Sequence, residues 1–193
     1  MTALFAATPA RALTGLAAAL ALSALATGCA SKFEKRLPDF SGRAHFHATG
    51  EKHPTAKRIQ GTVDLKQDKG VVTVTGELTN LAPNATVGFH IHERGSCMAA
   101  DASDAGPHFN PGNASHGAFG DKAAHVGDLP PLKADASGKA VINFSTTAFS
   151  LDKKQPNSVI NRAMIVHANA DDPTAQPAGN SGARVACGII RLI

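Results

Sequence analysis

A period of two runs through most of this chain. Ile59-Gln60-Gly61-Thr62-Val63-Asp64-Leu65-Lys66 alternates apolar and polar residues, and Val71-Val72-Thr73-Val74-Thr75-Gly76-Glu77-Leu78 is rich in β-branched side chains. Successive side chains of a strand point to opposite faces, so such runs suit strands with one buried face. Gln67-Asp68-Lys69-Gly70 lies between them as a turn, and together they read as a hairpin. Strand signals recur at Thr86 to His92, Leu132 to Ala134, Ala140 to Phe144, Ala163 to His167 and Arg184 to Leu192. Turns at Leu81 to Asn84 and Asp135 to Gly138 punctuate them, and there is no repeat and no long amphipathic helix. Seven or eight short strands predict an all-β sandwich or barrel.

The first residues follow a different rule. Leu13 to Ala26 is apolar all round, with Arg11 as a sparse charge before it. It is shorter than the roughly 20 residues that a membrane-spanning helix needs, and it reads as the core of a signal peptide over residues 1–28. Ala26-Thr27-Gly28-Cys29 resembles a bacterial lipobox, in which the cysteine receives lipid, although Leu25 stands one step from the usual leucine position. Cleavage after Ala24-Leu25-Ala26 is the alternative. The chain has three cysteines, Cys29, Cys97 and Cys187, and an odd one in an exported protein needs an explanation. If Cys97 and Cys187 pair, Cys29 remains beside the leader, where a lipidated cysteine would sit. Residues 29–42 are expected to be a polar, flexible spacer, and residues 43–193 the folded domain. Without the leader, 193 − 28 = 165 residues remain, enough for one domain. The protein is thus expected in the periplasm or cell envelope, with membrane contact only through a lipid on Cys29.

Charge excludes one class of partner. The net charge is +4, or 4 − 1 = +3 without Arg11, and no Lys/Arg block concentrates it. Trp and Tyr are absent, so base-stacking platforms are scarce, and no nucleic-acid partner is expected.

The nine histidines point elsewhere. Phe89-His90-Ile91-His92 puts two imidazoles on one face of a strand, able to reach one ion. His45-Phe46-His47 has the same spacing without a supporting cluster, and with His53 it reads as a solvated edge. Glu93 to Gly127 has no sustained period, and a loop of that length is usually functional. It carries Gly106-Pro107-His108-Phe109-Asn110-Pro111, then His116 and His125, with Asp128 just beyond it. Three imidazoles and a carboxylate within 128 − 107 = 21 residues are the inventory of a closed tetrahedral zinc site. His167 ends a core strand, and Asp171 to Ala183 forms a second long loop.

Gly88-Phe89-His90-Ile91-His92-Glu93, Gly106-Pro107-His108-Phe109-Asn110-Pro111, His125-Val126-Gly127-Asp128-Leu129, Val166-His167 and Gly182-Ala183-Arg184-Val185-Ala186-Cys187-Gly188 resemble, in order and spacing, the copper/zinc superoxide dismutase family. The resemblance spans about residues 43 to 193. It implies an eight-stranded Greek-key β-barrel or sandwich, immunoglobulin-like, with two long functional loops; this family is a standard example of that architecture. It implies copper held by His90, His92, His108 and His167, and zinc held by His108, His116, His125 and Asp128. His108 would bridge the two ions and carry a proton. Four imidazoles suit Cu(II), and three with a carboxylate suit zinc. Asp171 would link His90 and His116 from outside the ligand set. Cys97 and Cys187 would form the family disulfide, and Arg184 would orient the superoxide anion beside copper.

The expected activity is therefore dismutation of superoxide to O₂ and H₂O₂, protecting the cell envelope. A metal buffer and an inactive relative are the rivals, and both would tolerate loss of a copper histidine or of Arg184. In the eukaryotic branch the loop before the Arg184 position is longer and carries charges that steer substrate. Here Asp172 to Ala183 has no Lys, Arg or Glu, which leaves Lys122 and Lys133 as further candidates for steering. A homodimer is possible, with no geometry assigned.

Overall fold

The computed structural model describes residues 39–50 and 59–193. The leader, Cys29, most of the expected spacer and His53 lie outside the described residues. Ten strands follow in chain order: β1 Phe40–Ala48, β2 Gln60–Asp68, β3 Val71–Thr79, β4 Thr86–Val87, β5 Phe89–His92, β6 Leu132–Lys133, β7 Ala140–Thr146, β8 Ala163–His167, β9 Arg184–Ile189 and β10 Arg191–Leu192. Among the described residues there is no α-helix, only a 3-10 turn at Ser103–Ala105.

The alternation decides which face each strand buries. Ala44 and Phe46 of β1, Val63 and Leu65 of β2, Val72, Val74 and Leu78 of β3, and Ala140 and Ile142 of β7 all enter one core. The intervening His45, His47, Thr73 and Val141 face solvent. The β2–β3 hairpin closes through Lys69 and Gly70, both at positive φ (48° and 85°), with Asp68 paired to Val71. That is the two-residue turn whose twist matches the flanking strands, and Gly70 suits it because it has no Cβ to resist the conformation.

Strand order is β5-β8-β9-β1-β2-β3-β7, with β10 also on β1, and every pairing is antiparallel. The chain lays down β1 to β3 as a meander, crosses to the far edge as β5, returns as β7 beside β3, then crosses again to β8 beside β5. These crossings give the Greek-key connectivity. β4 runs into β5 and β6 turns back into β7, so the small β4–β6 ladder links the two edges of the curled sheet.

Several boundaries differ from the sequence expectation; Gln67 and Asp68, expected in the turn, extend β2, and β7 runs on past Phe144 to Thr146. β1 starts at Phe40, so Phe40, Ser41 and Gly42 belong to the sheet and not to the spacer expected up to residue 42; Gly42 pairs with both Leu65 and Leu192. The expected strand from Thr86 to His92 breaks at Gly88, where the chain passes from the β6 ladder to the β8 ladder. A Cβ on Gly88 would stand 2.5 Å from the Ser181 hydroxyl oxygen, so only glycine fits that crossing. The expected strand from Arg184 to Leu192 breaks at Ile190, whose backbone bonds Asn161 and Arg162 while its side chain enters the core.

Candidate metal centre

β5 has β8 on one edge and loop backbone on the other. Ile91 donates to Gly127 O (2.8 Å), Phe109 donates to Ile91 O (2.8 Å), and Glu93 donates to Pro107 O (2.9 Å). These bonds set His108 opposite His92 and Asp128 opposite His90. Gly127 is where the loop comes closest: a Cβ there would lie 2.2 Å from Ile91 O. Backbone pairing thus delivers two ligand candidates to a strand that already carries two others. Phe89 and Ile91 point into the core, and His90 and His92 point the other way, under the loops. The β8–β9 pairing shifts register between Val166 and His167, a bulge of the kind that re-aims a side chain. Val166 stays in the core while His167 joins the histidines, its Nε2 3.4 Å from that of His92.

Two quartets result. His90, His92, His108 and His167 form one, and His108, His116, His125 and Asp128 the other; within each, ligand atoms lie within 4.8 Å of one another. All are buried except the half-buried His125. His108 is common to both. Its Nδ1 is 2.9 Å from Asp128 Oδ1 and 3.4 Å from His125 Nδ1, which leaves Nε2 for the other quartet.

The outer hydrogen bonds assign the remaining ring nitrogens. His90 Nε2 donates to Asp171 Oδ1 (3.2 Å) and His116 Nε2 to Asp171 Oδ2 (3.1 Å), so each turns Nδ1 inward. His92 Nδ1 donates to Gly106 O (2.7 Å) and His167 Nδ1 to Gly182 O (3.2 Å), so each turns Nε2 inward. Such anchors fix tautomer and ring orientation in metal sites. One atom tests the fit: His90 Nδ1 is buried and has no hydrogen-bond partner. An orphaned buried nitrogen is costly, and a metal ion is the partner this one lacks. Four neutral imidazole nitrogens suit copper, and three with a carboxylate suit zinc.

Electrostatics keep the ligands in the form that binds metal. Burial holds the His90 imidazole below its ordinary range and His92 well below, with the neighbouring His108 adding to both; burial and the neighbouring His90 bring His167 down to about 3. Neutral imidazole is the ligand form. Burial alone would raise the Asp171 carboxyl, but hydrogen bonds from His90 and Ser181 outweigh it and bring it to about 2. The same contest leaves Asp128 ionised, with His108 and the Gly117 N–H as its donors.

Arg184 opens β9. Its guanidinium donates to Ala102 O (2.6 Å) and Gly106 O (2.7 Å) and is half-buried. Those carbonyls belong to the segment tied to β9 by the Cys97–Cys187 disulfide, with Cα atoms 5.9 Å apart. Ala102, Ala105, Ala163 and Ile165 pack around that link. In the chain-entropy account, a disulfide closing 90 residues contributes about 4–5 kcal/mol.

The structure gathers every residue expected at the two sites, together with Arg184 and Asp171. It leaves His45 and His47 apart, exposed on the outer face of β1. Lys122 lines a surface hollow of about 370 Å³ with His125 and Asp128, while Lys133 is exposed on β6. Two anchors escaped sequence reasoning. Gly106 O accepts from both His92 and Arg184, and the Ser181 hydroxyl donates to Asp171 Oδ1 (2.6 Å). A backbone carbonyl leaves no trace in residue identity, and a lone serine in a polar loop is no signal.

Residues 59–190 match the sequence profile of the family described as copper/zinc superoxide dismutase (SODC). The chain is 43% identical over 145 residues to a superoxide dismutase [Cu-Zn] of Onchocerca volvulus, covering 69% of this chain and 89% of that one. It is 40% identical over 149 residues to an extracellular superoxide dismutase [Cu-Zn] of Brugia pahangi, covering 72% and 73%. Among solved structures, a SOD-like protein from Bacillus subtilis superposes with a TM-score of 0.66 at 34% identity, covering 77% of this chain and 97% of that one.

Proposed function

This chain belongs to the copper/zinc superoxide dismutase family and is an oxidoreductase that converts superoxide to O₂ and H₂O₂; we propose that it does so with copper at His90, His92, His108 and His167 and zinc at His108, His116, His125 and Asp128. The observation that carries this residue assignment is the pair of quartets sharing His108, with an orphaned Nδ1 on His90. Copper would supply the one-electron chemistry, taking an electron from one superoxide and returning it to a second.

The chain's own residues do the rest. Asp171, Gly106 O and Gly182 O hold four imidazoles in the tautomers that face inward. His108 would carry a proton at Nε2 only once it has released copper, while its Nδ1 stays with the zinc ligands. Arg184 binds and orients the anion, since a guanidinium stays charged even when half-buried. Its two carbonyl anchors fix its direction. Metal analysis alongside a dismutation assay tests this reading. Copper and zinc in equal amounts in an active protein are expected; a protein that fills with zinc, refuses copper and still dismutes superoxide contradicts it.

We further infer export, from the leader pattern and from a relative named as extracellular. The finer proposal is a periplasmic or envelope enzyme anchored by lipid on Cys29, removing superoxide outside the cytoplasm. Cys29→Ser should release the protein from the membrane fraction. An unchanged distribution, with Thr27 as the mature N-terminus by mass spectrometry, contradicts the anchor. A homodimer is the second finer proposal, and it rests on the family resemblance alone. Light scattering on the purified domain should then give twice the chain mass, and a single chain mass would refute it.

A further inference from the structure

His116 has the least local support of the zinc candidates. It lies in a stretch, residues 113–118, that belongs to no strand, helix or turn. Its main chain is nevertheless held on both sides. The backbone N–H donates to Gln176 Oε1 (2.9 Å), and Gln176 Nε2 donates to the His116 carbonyl (2.9 Å). A carboxamide presents one acceptor and one donor side by side, as a residue of an antiparallel strand does with its own C=O and N–H. Gln176 therefore supplies a two-bond bridge of the sort a neighbouring strand would have supplied. The two residues are 60 apart in sequence, so this is a tertiary contact.

We propose that Gln176 is a positioning residue for the zinc site, fixing the main chain of His116 while Asp171 fixes its ring. The inference rests on the zinc assignment above. The two restraints are distinct: the Asp171 bond to Nε2 sets ring rotation, and the Gln176 clamp sets where the Cα stands. The loop that carries both is itself closed. Asp172 N–H donates to Gly179 O (2.9 Å), and Gly179 N–H donates to Ala175 O (2.8 Å). Gly179 has φ +73°, and a Cβ there would stand 2.6 Å from His116 Nε2 and 2.0 Å from Asp171 Oδ1. The loop thus approaches the imidazole as nearly as a backbone can. Its far end places Gly182 O on His167 Nδ1. In this chain the short, nearly uncharged loop grips a ligand of each site, and Gln176 is its hold on the zinc stretch.

The test uses the copper-loaded protein with Co(II) or zinc in the second site. Gln176→Ala removes both bonds. Gln176→Glu keeps the acceptor, loses the donor and sets a carboxylate against the His116 carbonyl. Both should release zinc to a chelator about 10-fold or more faster, the scale of losing an outer anchor of a metal ligand. Both should also shift the visible Co(II) spectrum, which reports the ligand field at that site. Thr174→Ala is the control: it loosens the Asp172–Thr174 turn in the same loop but leaves the clamp. It should keep the wild-type spectrum and release rate. Wild-type release and spectrum in Gln176→Ala overturn the proposal, as does an equal shift in Thr174→Ala. A wild-type protein that takes up neither zinc nor Co(II) overturns the zinc assignment, and the clamp with it.

Discussion

His167→Ala is expected to abolish dismutation and strip copper while leaving zinc in place. His167 belongs to the first quartet only, and it arrives from β8, apart from the loop that carries the zinc candidates. Its Nε2 faces inward because Nδ1 is committed to Gly182 O. Losing an outer anchor of a metal ligand typically costs 10–100-fold in affinity or activity, so losing the ligand itself should cost more than about 100-fold. The second quartet is held by backbone pairing to β5 and by Asp171, neither of which involves His167. Copper and zinc contents measured on one sample, beside the dismutation rate, check this. Full activity in a copper-supplied variant would remove His167 from the site, and parallel loss of zinc would mean that the two quartets are not separable.

Arg184→Glu is expected to slow catalysis by about 10- to 1,000-fold, the range over which favourable fields raise association rates. Superoxide is a small anion, which a guanidinium attracts and a carboxylate in its place repels. Asp101 and Asp104 lie near enough to oppose the Arg184 charge, and Arg94 is a second cation close enough to act on it. Salt screens such fields over about 10 Å at 0.1 M. The wild type should therefore slow as ionic strength rises, and the variant should slow less or speed up. Gly106 O loses one of its two donors, so copper content must be measured in parallel. Equal rates and equal salt slopes at equal copper occupancy would show that Arg184 does not guide substrate.

What the sequence makes legible follows from which interactions are local. The β2–β3 hairpin is legible because alternation and a turn signal at Gln67 to Gly70 sit within 20 residues of each other, although only the pairing shows that the turn narrows to Lys69 and Gly70. The ligand set is legible because His90 and His92 share a strand face and because His108 to Asp128 concentrates the second quartet. The breaks at Gly88 and Ile190 are not legible: alternation tells which face a residue takes but not which partner strand it meets. The start of β1 at Phe40 is hidden for the same reason. Ser41 and Gly42 carry no apolar pattern, and Gly42 joins the sheet through Leu65 and Leu192, far along the chain. The Gly106 carbonyl and the Gln176 clamp are hidden more deeply, since each depends on backbone atoms meeting across a loop.

This polypeptide is expected to turn over superoxide at copper held by the first quartet. Pulse radiolysis on one preparation, loaded with zinc alone or with copper and zinc, measures that directly. The zinc-only protein should leave superoxide decay at the buffer rate. The copper and zinc protein should accelerate it, in proportion to bound copper, toward about 10⁸–10⁹ M⁻¹s⁻¹, a diffusional ceiling for which superoxide dismutase is itself a standard example. Decay that is the same in both preparations would contradict the claim.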